Sequence, residues 1–212
     1  MSKIISMLQL KGGIGKSTLT ISIAGVLASK GHKILIIDAD APQCTVAAWH
    51  TLQNDPLIDI AVANNAAELN NIVQGAFGKV DFILIDSPPR MNELQRGILM
   101  LSDNIIVPVQ TNPADLWAFD DLYLLISEAK ESGSQAKFKL LWNKFKNYPV
   151  PTQIRADVVE QYGFDQFENS MSELTGYGQM IGEGKHPLNF ANWRTKRQFK
   201  LLSQEILNYL DA

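Results

Sequence analysis

The residues best equipped for chemistry stand together at positions 8–18, Leu-Gln-Leu-Lys-Gly-Gly-Ile-Gly-Lys-Ser-Thr. Gly12, Gly13 and Gly15 let backbone N–H groups turn inward and approach anionic oxygens with no Cβ atom in the way. Ile14 belongs to the same loop, and Thr18 directly follows it. Lys16 offers a cation to lie along a β- and γ-phosphate, and Ser17 offers a hydroxyl to Mg2+. The spacing follows the phosphate-binding pattern G-x-x-x-x-G-K-[ST], with a departure. The first glycine of that pattern would be residue 10, which is Leu10, and beside it stands an additional lysine, Lys11.

Mg2+ takes hard oxygen ligands. Two apolar runs end in carboxylates that qualify: Leu-Ile-Ile-Asp-Ala-Asp supplies Asp38 and Asp40, and Phe-Ile-Leu-Ile-Asp-Ser-Pro-Pro supplies Asp86. An aspartate after an apolar run continues a strand poorly and ligates a metal well. Helix capping or turn formation is the alternative role for each.

These residues need a scaffold. Apolar, partly β-branched runs at 3–9, 33–38, 80–86, 104–109 and 138–142 read as strands buried on both faces, with a weaker one at 58–62. Helix-length segments alternate with them at 16–30, 43–53, 66–77, 92–101, 114–130 and 152–162, followed by one or two helices across 171–210. Gly31 suits a helix C-terminus. This alternation predicts an α/β fold: a doubly wound, mostly parallel sheet flanked by helices, in a single domain spanning 1–212, with ligands outside the carboxyl ends of the strands. The glycine loop then follows a strand and opens a helix, the context that such a loop requires.

Composition narrows the classes. The 212 residues are 46% hydrophobic and 19% charged with a formal net charge of −3, ordinary for a water-soluble chain. No apolar run reaches the length of a membrane span, and the N-terminus reads as a strand, not a signal peptide. The single Cys44 excludes an internal disulfide and a cysteine-clustered metal site within one chain. The cytoplasm is the expected compartment. His32, His50 and His186 have no partner at ligand spacing and read as structural or solvated.

The loop Lys-Gly-Gly-Ile-Gly-Lys-Ser-Thr, with Asp-Ala-Asp and Pro42-Gln43 after the second strand and Asp86-Ser-Pro-Pro after a later one, resembles the ParA/MinD family of deviant Walker ATPases, over roughly residues 3–150. The resemblance implies a P-loop ATPase using ATP and Mg2+, weak alone and stimulated by a partner, that forms a sandwich homodimer on binding ATP. It implies that Lys11 reaches the partner's ATP, that Lys16, Ser17 and Thr18 bind phosphates and metal, that Asp40 orients the attacking water, and that Asp38 and Asp86 hold the metal directly or through water. Lys11, Lys16 and Asp40 are the catalytic candidates. Asn143, after the strand at 138–142, stands where family members place an adenine-binding asparagine. One departure concerns Asp40: the family commonly reads D-x-D-P-Q, whereas this chain inserts Ala41 before Pro42. Counting along the strand keeps Asp40 as the water-positioning residue, since loops absorb insertions.

The family's outputs differ. A membrane-binding tail needs cations on its polar face, and the segment after Lys200 has none, so the C-terminal helix is expected to pack on the core rather than on a membrane. Residues 185–200 hold Lys185, Arg194, Lys196, Arg197 and Lys200 and no acid, with Phe190, Trp193 and Phe199 among them. The aromatics read as core contacts and the cations as a non-specific DNA surface, doubled by dimerisation. Lys137, Lys139, Lys144, Lys146 and Arg155 are candidates to widen it. The expected role is partition of plasmid or chromosomal DNA, nucleoid-associated in the ATP state, with a ParB-like or other small stimulating protein. A DNA-reading domain before the loop, and with it operator-specific autoregulation, is not expected. Positioning of a protein cargo such as a carboxysome or chemotaxis cluster, and a metabolic P-loop ligase, stand as alternatives.

Overall fold

The isoleucine-rich runs become strands because β-branched side chains pack well on a pleated surface covered on both sides. In the computed structural model these are β1 (Lys3–Met7), β2 (Ile34–Asp38), β3 (Ile58–Val62), β4 (Phe82–Asp86), β5 (Asn104–Val109) and β6 (Lys137–Phe145), with two-residue strands β7 (Asp165–Gln166) and β8 (Met171–Ser172). The helices are α1 (Lys16–Ser29), α2 (Thr45–His50), α3 (Ala66–Ala76), α4 (Glu93–Leu101), α5 (Pro113–Glu131), α6 (Thr152–Tyr162), α7 (Thr175–Gly182) and α8 (Trp193–Asp211). The structure describes every residue except 41–42, 91–92, 111–112, 146–151, 174 and 212, and describes only the backbone of 113–118, 144, 145 and 152.

Every described strand pairing is parallel. The order β3-β2-β4-β1-β5-β6-β7, with β8 also on β6, puts the first strand in the middle. Successive side chains divide between two cores. Ile83 and Ile85 face a cluster with Leu69 and Val73 of α3, Ile98 of α4, and Phe119 and Ile126 of α5. Leu84 faces the other side, with Leu19 and Ile23 of α1, Trp49 of α2, Met180 of α7, and Phe199 and Ile206 of α8. The expected doubly wound parallel fold is what forms.

The C-terminal helix packs as its pattern predicts. Phe199, Leu202, Ile206 and Leu210 are buried at helical spacing, each contributing about 1.5–3 kcal/mol by burial. The Lys3 ammonium donates to the Leu210 carbonyl, and the Tyr209 hydroxyl donates to Lys137 O at 2.7 Å. Helix α2 ends at His50, short of the expected 53. Strands β7 and β8 are absent from the sequence prediction, and β8 occupies residues expected to be helical, because two residues carry no periodicity.

Candidate nucleotide site

The loop between β1 and α1 has Gly13 at φ 71° and Gly15 at φ 99°, left-handed conformations that side-chain-bearing residues rarely adopt. Leu10, in place of the usual glycine, is half-buried against the core. The loop is tied down from two directions. Gln9, buried, donates through Nε2 to Pro108 O at 3.2 Å and accepts from Leu10 N at 2.8 Å. Asn143 is also buried, at the end of β6, and its Nδ2 donates to Ile14 O at 2.6 Å. The structure therefore places Asn143 beneath the loop as a strut, and base recognition would require this amide to share or leave that bond.

Lys16 opens α1 and is 6% exposed. Its Nζ donates to Lys11 O at 3.2 Å, so one lysine fixes the backbone of the other. Burial lowers its pKa, and the nearby Asp86 and Asp40 oppose that shift. Lys11 is half-buried.

The carboxylates cluster because parallel register aligns the strand ends: Asp38 of β2 and Asp86 of β4 are register partners. Their surroundings differ. Asp38 accepts from Asp40 N at 3.1 Å through Oδ1, and from Val46 N at 3.1 Å and Ala47 N at 3.0 Å through Oδ2. Fully buried, it anchors the start of α2, the capping role left open as its alternative. Asp86 is 1% exposed. It bonds the Ser17 hydroxyl and accepts from Thr20 Oγ1 at 3.3 Å, while its Oδ2 is buried with no hydrogen-bond partner among the described residues. Burial first, then the Asp38 charge, push its pKa up to about 7 against the Ser17 hydrogen bond.

That orphaned oxygen beside a serine hydroxyl fits a bound cation, since a buried polar atom without a partner is costly and a cation would favour the ionised carboxylate. Mg2+ suits the all-oxygen donor set. Among the described residues no group of three or more His, Cys, Asp or Glu could itself enclose a metal.

A cavity of about 350 Å3 opens over the loop, lined by Gly12, Gly13, Ile14, Gly15, Lys16, Ser17, Thr18, Asp40, Gln43, Thr45 and Pro89. The sequence reading assigned no role to the last three. Gln43 and Thr45 arrive because Asp38 pins α2 against the strand ends, and Pro89 lies 3.6 Å from where a Cβ on Gly12 would stand. Asp40 is half-buried, and burial raises its pKa against the Lys16 charge.

The cations at 194–200 lie elsewhere, on α8. Arg194, Lys196, Arg197 and Lys200 are exposed. Lys185 bonds Glu183 at 2.7 Å. Phe190 and Phe199 are core residues as expected, but Trp193 is not: it is 63% exposed, with the Arg194 guanidinium 5.5 Å from its ring. At the first turn of α8 it lies opposite the buried arc, which a reading of aromatics as core cannot foresee. Two of the candidate outlying cations are engaged: Lys139 lies over the Phe167 and Tyr209 rings, and Arg155 donates to the Phe167 and Glu168 carbonyls. Lys146 lies outside the described residues, as does the side chain of Lys144.

A parallel sheet whose first strand feeds a glycine loop and helix, with acidic strand ends beside it, defines a P-loop nucleotide-binding protein. The AAA domain family model matches residues 2–66 and 48–140, and the chain belongs to the ParA/MinD family of P-loop ATPases. It is similar to the maintenance of carboxysome distribution protein A of Halothiobacillus neapolitanus, at 26% identity over 85% of this chain and 84% of that one. It is also similar to the chromosome-partitioning ATPase Soj of Thermus thermophilus, at 25% identity over 84% and 87% of the two chains. The ATP complex of a Cyanothece McdA variant shares the fold, with a TM-score of 0.78 at 15% identity over 97% of this chain and 96% of that one. No helix among the described residues is long and apolar enough to cross a membrane.

Proposed function

We propose that this protein is a ParA-type positioning ATPase. It binds Mg·ATP, dimerises around it, associates with DNA without sequence preference, and hydrolyses ATP under the control of a small partner protein. The observation that carries this reading is the combination at one strand edge of the Lys11–Thr18 loop with the Ser17–Asp86 pair and its orphaned carboxylate oxygen. A relative's solved structure is an ATP complex, which supports the choice of nucleotide.

When bound, Mg2+ would neutralise charge that develops on the phosphates, with Ser17 and Asp86 as its protein ligands and Asp38 holding the adjoining loop. The loop N–H groups bind phosphate oxygens. Lys16 lies along the terminal phosphates, Asp40 orients the attacking water, and Lys11 serves the partner's nucleotide as a cation delivered in trans.

The exposed Arg194, Lys196, Arg197 and Lys200 support the DNA surface, since neutralising phosphates is what sequence-independent binding requires. Two copies in a dimer make that binding depend on ATP through avidity. The test is retention of the protein on random-sequence DNA across a salt series, with ATP and with ADP. ATP is expected to strengthen retention, more so at low salt, and equal retention in both states overturns nucleotide-gated DNA association. For the cargo, the similarity to a carboxysome distribution protein across most of both chains favours a protein assembly as a second reading beside DNA itself.

A further inference from the structure

We propose that Gln43 positions the attacking water together with Asp40. The inference rests on the reading of this site as an ATP-hydrolysing centre and adds to it a residue whose role is unassigned. Two carboxamides that tie down the phosphate loop, and a third beside Pro88, donate to backbone carbonyls. Gln9 and Asn143 bond the Pro108 and Ile14 carbonyls, and Gln95 donates to Pro88 O at 2.5 Å. The Gln43 carboxamide has no hydrogen-bond partner among the described residues, and it lines the cavity alongside Asp40, Lys16 and Ser17.

The backbone explains its placement. Asp40 O accepts from both Gln43 N and Cys44 N at 2.9 Å, closing a turn that brings residues 40 and 43 to one wall. The chain then passes through Cys44 at φ 45°, the only non-glycine left-handed residue among those described. Such a conformation is costly for a residue with a side chain and persists where the surroundings enforce it. Here the enforcement comes from Asp38, which grips Val46 N and Ala47 N directly after the kink.

The chemistry suits a water-orienting pair. A carboxylate accepts one proton of the water but gives it no donor. A neutral carboxamide presents an acceptor and two donors side by side, so it can hold the water's second proton and donate to a phosphate oxygen. It adds no charge beside a γ-phosphate that already repels anions. Glutamine orients the nucleophilic water in other P-loop hydrolases by this chemistry.

The test compares wild type, Gln43→Ala, Gln43→Glu, Asp40→Ala and Gln43→Ala/Asp40→Ala. Phosphate release is read under multiple turnover, affinity is read with a fluorescent ATP analogue, and trapping of ADP with aluminium fluoride is read as a mimic of the transferring phosphoryl group. Gln43→Ala is expected to lower kcat about 10- to 100-fold with unchanged ATP affinity and to trap ADP·aluminium fluoride poorly. Gln43→Glu keeps the shape, loses the donors and is expected not to rescue. The double variant is expected to be no slower than Asp40→Ala, because residues acting on one water are non-additive. Three outcomes overturn the proposal: turnover of Gln43→Ala within twofold of wild type, full rescue by Glu, or a loss of ATP affinity matching the loss of rate. A wild-type protein that neither binds nor hydrolyses ATP overturns the underlying reading instead.

Discussion

Asp40 and Asp86 stand at one strand edge and are held in different ways. Asp86 is enclosed and bonded to Ser17 and Thr20, and its Oδ2 has no hydrogen-bond partner among the described residues. Asp40 lines the open cavity, and its backbone, not its carboxylate, carries the local turn. Removing the Asp40 side chain should therefore leave the loop and the metal ligands in place. Asp40→Ala is expected to lower turnover at least about 100-fold while ATP binds as tightly as before, read by phosphate release and by equilibrium binding of a fluorescent analogue. Wild-type turnover in that variant would remove Asp40 from the hydrolytic step and return attention to the Ala41 insertion.

Helix α1 shows how elements, and not single residues, join the site to the C-terminal segment. Gly25, in mid-helix, is where a Cβ would stand 2.1 Å from His186 Cγ, so a helix-weakening residue is required for the His186 ring to dock. The Trp49 indole of α2 donates to Lys185 O at 2.9 Å beside it. His186 is 8% exposed and its Nδ1 is buried with no hydrogen-bond partner among the described residues. Burial lowers its pKa below 6.5, against the raising influence of Asp55. The unfolded chain thus binds a proton that the folded one resists. This contribution to stability is complete above about pH 6.5 and declines as pH falls toward the folded pKa, by up to about 1.4 kcal/mol per pH unit. Urea midpoints at pH 7.5 and 5.5 are expected to separate more for wild type than for His186→Phe, and equal separations would show that the ring does not govern acid sensitivity. What was legible beforehand divides along the same lines. The loop and the acidic strand ends could be read because their chemistry is encoded within a few consecutive residues. Asn143 could not, since its partner Ile14 is 129 positions away. The anchoring role of Asp38 depends on N–H groups 8 and 9 residues on, which local spacing leaves open. Trp193 differs from Phe199, on the same helix, only in which side of the helix meets the core.

At the scale of the whole molecule, the phosphate loop lies at the carboxyl ends of the central strands, and Lys11 is half-buried there with its carbonyl bonded to Lys16. If its ammonium serves a second subunit, Lys11→Ala should bind ATP but fail to dimerise with it. Size-exclusion chromatography with Mg·ATP is expected to show a dimer for wild type and a monomer for the variant, and a variant dimer would exclude the trans role. The sheet order has a different consequence. β1 leaves the ribosome well before its two neighbours in the sheet, β4 and β5. The roughly hundred residues from Met7 to Val109 take on the order of 5–20 s to synthesise. Until β4 is made the nascent chain holds an aliphatic strand with neither native neighbour available, and until β5 is made it still lacks one of the two. The glycine loop that follows it has no acidic strand end beside it until β4 docks, so nucleotide can reward the finished fold but cannot template its beginning.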